Sequence, residues 1–195
     1  MKTKEKIRES ALKLFSENGY TATSIGDIAK EVGVKKATIY SHITTKEELY
    51  LSLLDEVLEW DREHFRDLLD RNQTLSTKAK IELLLEAYCT IYLEEPLKTK
   101  MKFLNRAMLF PPEGFSSRHK EVFKEKEILF MPLIVRVIRD GIKNGCIGNL
   151  SEREVLVFFY CTVDGLFVES CYYTKEDFKK RFECISKVFW NAIKV

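Results

Sequence analysis

The chain has 195 residues, of which 45% are hydrophobic and 32% are charged, and its formal net charge at pH 7 is +2. This composition is typical of a folded globular protein and excludes a largely disordered chain, and so small a net charge means that any nucleic-acid-binding surface must be local. No apolar run approaches the roughly 20 residues that span a bilayer, and the first residues lack an apolar signal core, so we predict a cytoplasmic protein without membrane segments.

The first helix is predicted to end at Gly19. Its apolar residues share one helical face: Ile7, Ala11, Leu14 and Phe15. Ser24 followed by Asp27 is typical of a helix N-terminus, because the hydroxyl accepts a free backbone N–H and the acid lies in the first turn. Gly33 ends this second helix. A third, short helix is predicted from about Lys35 to Ser41.

The rest of the chain is also helical in its periodicity. Thr45 with Glu48, and Ser151 with Glu154, form capping boxes that begin a long fourth helix and a late apolar helix. Other helices are predicted before Pro96 and over residues 97–110, 117–144 and 175–194, with Pro132 expected to kink or interrupt the one that contains it. No alternating pattern predicts a β-hairpin. The sequence predicts an all-α fold of about nine helices.

Two short helices around Gly33 are typical of a helix-turn-helix, because glycine adopts the backbone angles that the corner needs. In such a unit the second helix enters the major groove of DNA. Here that helix carries donors and short polar groups: Lys35, Lys36, Thr38, Tyr40, Ser41 and His42. Ile39 and Ile43 can anchor it to other helices. From Lys30 to Lys46 there are four lysines and one acid, a local charge of +3. A plain helical corner within a bundle is the alternative.

This segment resembles the N-terminal domain of the TetR family of bacterial transcriptional regulators. The similarity covers roughly residues 5–55 and rests on Ala11-Leu12, Leu14-Phe15, Gly19-Tyr20, Thr23-Ser24, Asp27-Ile28-Ala29, Gly33-Val34, Thr38-Ile39-Tyr40, His42 and Lys46-Glu47. Ala37 stands where the family often has glycine and Ile43 where it often has phenylalanine, and we expect both changes to alter packing rather than binding. The resemblance implies a DNA-binding domain over residues 1–47, with its motif at 24–43, and a helical ligand-binding and dimerisation domain over 48–195.

The resemblance also implies a set of DNA contacts. The predicted DNA-binding residues are Ser24, Lys35, Lys36, Ala37, Thr38, Tyr40, Ser41, His42 and Lys46. Ser24 corresponds to a phosphate contact at a helix N-terminus, and residues 36–38 correspond to contacts with base edges. Tyr40, His42 and Lys46 correspond to phosphate contacts, with His42 also a candidate base contact.

The helix predicted over residues 151–173 has apolar residues on every face and must be covered on all sides. Cys161, Gly165 and Ser170 are small enough to let another helix approach. The resemblance implies a homodimer through the last two long helices, about 151–173 and 175–194. Two-fold symmetry then sets the recognition helices about 34 Å apart, one turn of a palindromic operator. Ordinary packing within one chain is the alternative.

The resemblance further implies a cavity for a small, largely apolar effector. The predicted lining residues are Trp60, Tyr88, Tyr92, Phe103, Arg106, Met108, Phe130, Phe159 and Asp164. Such aromatic residues at helical spacing equally fit an ordinary core. Asp164 contacts the effector or has a partner at the dimer seam, because a charge within an apolar helix needs a partner. Arg106 binds an anionic effector or faces water.

We therefore predict a repressor that binds operator DNA as a homodimer and is released by an effector with higher affinity for the splayed state. The fourth helix is expected to transmit the conformational change from the effector site to the DNA-binding domain. No catalytic or metal-binding motif occurs, so we predict neither enzymatic activity nor a cofactor. An activator or a nucleoid-type protein would keep the same DNA-binding residues, whereas a scaffold that had lost DNA binding would not.

The cysteines form no C-x-x-C pair and are odd in number: Cys89, Cys146, Cys161, Cys171 and Cys184. In a reducing compartment we expect small buried hydrophobic residues rather than disulfides or redox sensors.

Overall fold

The computed structural model describes residues 2–90, 97–113, 116–148 and 150–195. These ranges form nine α-helices: α1 (Thr3–Ala22), α2 (Ile25–Val32), α3 (Lys36–Tyr40), α4 (Lys46–Arg71), α5 (Thr77–Thr90), α6 (Leu97–Leu109), α7 (Ser116–Lys143), α8 (Glu152–Tyr172) and α9 (Lys175–Ile193). An isolated bridge joins Ile147 to Lys194. The predicted all-α fold is confirmed. None of these helices combines the length and the apolar character that crossing a membrane requires.

Local sequence signals place the first helix boundaries. Gly19 has a φ of 83° within α1, so the regular helix stops where predicted although one irregular turn continues to Ala22. The Ser24 hydroxyl accepts the N–H of Asp27, and the Asp27 carboxylate accepts the N–H of Ser24, which confirms the N-cap of α2. Gly33 ends α2 with a φ of 79°, a left-handed conformation that favours glycine.

The later boundaries also follow the capping residues. At the start of α4 the Thr45 hydroxyl accepts the N–H of Glu48, but the Glu48 carboxylate accepts the N–H of Thr44 rather than that of Thr45. Ser151 begins α8 with the predicted capping box. The helix α7 continues through Pro132 as one element, although a kink or a break was predicted there.

The described residues divide into two compact units. The first consists of Met1–Asp61 with Glu95–Glu125, and the second of Arg62–Glu94 with Lys126–Val195. The first unit includes α6, which packs on α1. Since these units follow packing and not binding, the functional boundary between residues 47 and 48 stays a prediction.

The core of the first unit is built by the apolar faces of α1 to α4 and of α6. Its fully buried residues include Ile7, Phe15, Ile28, Ile39, Leu49, Leu53 and Phe103. The ring of Tyr50 lies 5.2 Å from those of Phe15 and Phe103, edge-on to both. Burial raises the pKa of Tyr50 to about 12. These contacts hold α1, α4 and α6 in one aromatic cluster.

In the second unit, α5, α8 and α9 pack together. The buried side of α8 carries Val155, Leu156, Phe159, Val163 and Leu166. The opposite side of α8 is exposed within the chain although it is apolar, and it continues onto α9. We call this surface the α8–α9 face: Val157, Phe158, Cys161, Asp164, Gly165, Val168, Tyr172, Cys184, Ile185 and Val188.

The α8–α9 face corrects two predictions. Cys161 and Cys184 are exposed rather than buried, and Cys146 is half-buried. The side chains of Cys89 and Cys171 lie outside the described part of the chain. These two exposed cysteines lie on a side of α8 and α9 that the chain's own core does not cover, which helical periodicity alone could not reveal.

Candidate DNA interface

The N-terminus of α2 presents free backbone donors next to an exposed hydroxyl. The Ser24 hydroxyl donates to Asp27 Oδ2 at 2.6 Å and accepts the Asp27 N–H at 3.1 Å. The hydrogen bonds from Ser24 lower the pKa of the Asp27 carboxyl. Since this cap uses the third N–H of the helix, the N–H groups of residues 25 and 26 stay available to an outside acceptor such as a phosphate.

The short helix α3 has a buried apolar side and an exposed polar side. Ile39 is fully buried, whereas the Tyr40 side chain is 50% exposed. The other predicted contact residues around α3 are exposed, except for the half-buried Thr38: Lys35, Lys36, Ala37, Ser41 and His42. The hydroxyl of Ser41 donates to the carbonyl of Thr38 at 2.8 Å. The predicted recognition helix is therefore not buried within its unit.

An ion pair increases the effective positive charge of this surface. Glu31 is the one acid between Lys30 and Lys46 in the sequence, and its carboxylate lies 2.7 Å from the ammonium of Lys13 on α1. The hydrogen bond to Glu31 raises the pKa of Lys13. Because Glu31 is neutralised from α1, it does not offset the charges of Lys35 and Lys36.

Lys46, whose predicted phosphate contact stays a prediction, forms hydrogen bonds within the chain. Its half-buried ammonium donates to the carbonyl of Tyr20 at 2.9 Å and to that of Thr23 at 3.0 Å. It also lies 4.0 Å from the centre of the Tyr20 ring. Burial lowers the pKa of Lys46. Here Lys46 ties the start of α4 to the connection between α1 and α2, a long-range contact that spacing in the sequence does not reveal.

A cleft beside the α3–α4 turn contains residues that we did not select from the sequence. The cleft has a volume of about 170 Å³, and its walls include Lys4 and Arg8 of α1 together with His42. Arg8 forms an ion pair with Glu56 and donates to the Ser52 hydroxyl. Lys4 is exposed. The lysine-rich start of the chain was the signal that could have indicated Lys4.

Four of the predicted effector contacts lie in the first unit. The ammonium of Lys100 lies 4.6 Å from the centre of the Trp60 ring, and Met108 is half-buried. Phe103 belongs to the aromatic core. Arg106 is half-buried, and its guanidinium donates two of its N–H groups to backbone carbonyls of α1.

The remaining predicted effector contacts concern the second unit or lie outside the described residues. The Tyr88 ring stacks on Phe65 with 4.2 Å between centres, and Phe159 is fully buried beside Tyr88. Asp164 is exposed on the α8–α9 face, although its apolar neighbours in sequence predicted an enclosed charge. Tyr92 and the side chain of Phe130 lie outside the described residues. The effector-contact role of this set stays a prediction.

Comparison with known proteins assigns the N-terminal segment. Residues 7–53 match the family model described as bacterial regulatory proteins, tetR family. The chain is 42% identical over 69 residues to the Biofilm operon icaADBC HTH-type negative transcriptional regulator IcaR of Staphylococcus epidermidis, covering 35% of each chain. It is 49% identical over 47 residues to IcaR of Staphylococcus aureus, covering 24% of this chain and 25% of that protein. These matches therefore span about a third or less of those relatives.

Solved structures share the fold over nearly the whole chain. A TetR transcriptional regulator from Chloroflexus aurantiacus has a TM-score of 0.76 and 22% identity over 99% of this chain and 96% of its own. The regulator FadR from Bacillus subtilis, solved in complex with stearoyl-CoA, has a TM-score of 0.72 and 19% identity over 95% of this chain and 96% of its own.

The comparisons cover different parts of the chain. The family model matches residues 7–53, from within α1 to within α4, and the solved structures share the fold over nearly the whole chain. The resemblance inferred from Gly19-Tyr20, Gly33-Val34 and Thr38-Ile39-Tyr40 is thereby confirmed. Residues 7–53 are therefore similar to the tetR family of bacterial regulatory proteins, and the described chain shares the fold of solved TetR regulators.

Proposed function

We propose that the protein is a cytoplasmic, ligand-responsive transcriptional repressor that binds a palindromic DNA operator as a homodimer. The observation that carries this proposal is that α3 is buried on one side and exposes polar residues on the other. Ile39 is buried while Lys35, Lys36 and His42 are exposed, an arrangement that suits insertion of the helix into a major groove. The similarity over 69 residues to the negative regulator IcaR supports repression rather than activation.

The α8–α9 face supports the proposal of a homodimer through the last two helices. Val168 is 51% exposed and Tyr172 is 80% exposed within one chain. A Cβ added at Gly165 would meet no atom within 4 Å, so the helix surface is open to a close neighbour there. Apolar exposure on two adjacent helices is typical of a surface that a second protein chain covers.

The effector is proposed to be small and largely apolar. The aromatic stack of Tyr88 on Phe65, with Phe159 beside it, offers the kind of apolar wall that binds such ligands. FadR of Bacillus subtilis, which shares the fold, was solved with stearoyl-CoA. The effector then releases DNA because it binds the splayed state of the dimer more tightly than the operator-competent state.

The direct test is to let the protein select duplexes from a random DNA pool and to measure the affinity for the selected sequence by fluorescence anisotropy. We expect a palindromic site with half-sites about 34 Å apart. Lys36→Ala should relax the base preference, and Tyr40→Ala should weaken binding about tenfold to all sequences, as loss of a phosphate contact does. Leu75→Ala, on an exposed residue of the second unit, is the control. Selection of no duplex would reject the proposed function.

A further inference from the structure

We infer that Arg106 of α6 is a positioning residue for DNA binding, acting through the backbone at the C-terminus of α1. The inference rests on the proposed function, because it names a residue on which that DNA contact depends. Arg106 lies far in sequence from the helix-turn-helix. Its guanidinium nevertheless donates from Nη1 to the carbonyl of Glu17 at 3.2 Å and from Nη2 to that of Asn18 at 3.1 Å.

The backbone at Gly19 creates the site that the guanidinium fills. The φ of 83° at Gly19 ends the regular part of α1, and the last carbonyls of a helix have no N–H partner within it. A Cβ at Gly19 would lie 2.8 Å from Arg106 Nε. The positive φ therefore favours glycine at position 19, and a Cβ there would displace the Arg106 guanidinium. The negative end of the helix dipole also favours a cation here.

A second cation fixes the residues that follow. Lys46 donates to the carbonyls of Tyr20 and Thr23, and the Thr23 hydroxyl donates to the carbonyl of Gly19 at 2.8 Å. Thr23 is fully buried and directly precedes Ser24, the N-cap of α2. Arg106 and Lys46 thus bind four carbonyls, of residues 17, 18, 20 and 23, in the segment that leads into the N-terminus of α2.

The position of Arg106 is itself held by the core of the first unit. Phe103, one turn earlier on α6, is fully buried, and its ring lies 6.4 Å from Phe15 of α1 and 5.2 Å from Tyr50 of α4. This packing holds the Arg106 guanidinium against α1. Because Nη1 and Nη2 of Arg106 each donate to a carbonyl of α1, we expect the guanidinium to orient the backbone that leads to Ser24 rather than to contact a phosphate.

The test uses Arg106→Met, with Lys102→Met as the matched control on an exposed cation of the same helix. The duplex is the one selected by the wild-type protein, and its affinity is measured by anisotropy at several salt concentrations. We expect Arg106→Met to bind about tenfold more weakly, the order of effect of losing a charge-assisted hydrogen bond. The slope of log K against log salt should stay at the wild-type value, because no phosphate contact is lost. Arg106→Lys should restore part of the affinity, and Lys102→Met should equal wild type.

Two results would overturn the inference while leaving the proposed function intact. One is wild-type affinity in Arg106→Met; the other is a salt slope that falls by about 0.9 for each protomer, which would make Arg106 a phosphate contact. If Arg106→Met loses its helical circular dichroism at the assay temperature, Arg106→Gln takes its place under the same two criteria. A wild-type protein that binds no duplex rejects the proposed function itself.

Discussion

The surface around α3 and the α8–α9 face are both exposed helical surfaces, but their chemistry is opposite. The first presents lysines, hydroxyls and an imidazole, and the second presents valines, aromatic rings and small residues. A polar, cationic surface is suited to a polyanion, and its binding must weaken as salt rises. An apolar surface is suited to another protein surface, and its association must depend on protein concentration. Exposed helical surfaces of one chain can therefore suit two kinds of partner, distinguished by side-chain chemistry.

The largest effect should come from placing a charge in the apolar surface. Val168→Asp puts a carboxylate on the α8–α9 face of each protomer, and burying an unpaired charge costs several kcal/mol, so the dimer dissociation constant should rise about a hundredfold or more. Light scattering after gel filtration would report the mass. Val195→Asp makes the same change at an exposed valine outside this face. A dimer in Val168→Asp at micromolar concentration would contradict the proposed interface.

The next effect tests the buried side of α3. Ile39 is fully buried, so Ile39→Ala should lower the free energy of unfolding by about 2–5 kcal/mol, through lost apolar contact and a cavity. Urea unfolding followed by circular dichroism measures this change. Ile142→Ala, at an isoleucine that is 36% exposed, is the matched control. Equal stability of the two variants would mean that α3 is not anchored as described.

A smaller effect tests whether the DNA-binding surface extends onto α1. Lys4 shares a cleft with His42, and we expect Lys4→Gln to weaken DNA binding several-fold and to reduce the salt slope by about 0.9 per protomer. Lys143→Gln, at an exposed lysine of α7, should leave both quantities unchanged. An unchanged slope in Lys4→Gln would limit the DNA contact to residues near α2 and α3.

The smallest effect concerns pH and lies away from both surfaces. Burial lowers the pKa of His64 on α4 from 6.5, with Asp67 acting in the opposite direction. The unfolded chain then binds more protons at low pH, so the contribution of neutral His64 to stability is complete above pH 6.5 and is lost as the pH falls below 6.5 and through the lower pKa of the folded state. The melting temperature should fall more between pH 7.5 and 5.5 in wild type than in His64→Gln. His42→Gln, at an exposed histidine, is the control, and it should behave as wild type does.

The two surfaces also differ in how far sequence alone predicted them. The polar surface depends on local signals, such as the Ser24 cap and the Gly33 corner, because capping and positive φ are decided within a few residues. The α8–α9 face was predicted less completely. Periodicity predicted an apolar helix covered on every side, and it could not tell which side the chain's own core leaves exposed at Cys161 and Asp164.

Contacts between distant residues could not be predicted at all. Arg106 was expected to bind an effector or to face water, but its partners are carbonyls of Glu17 and Asn18, almost ninety residues earlier in the chain. Lys46 was predicted as a phosphate contact, which stays a prediction, and its hydrogen bonds to the carbonyls of Tyr20 and Thr23 had no signal in the sequence. Backbone acceptors carry no sequence signal, so the cations that they attract cannot be assigned from residue types.

The most direct test of the account is the salt dependence of binding to the selected duplex, for wild type and for the variant with Lys35→Ala and Lys36→Ala. If the segment after Gly33 is the DNA-binding surface, log K falls steeply as log salt rises, and the variant's slope is smaller by about 0.9 for each phosphate contact that it loses. Equal slopes for the two proteins, with equal affinity, would contradict the account, because the exposed lysines of α3 would then play no part in holding DNA.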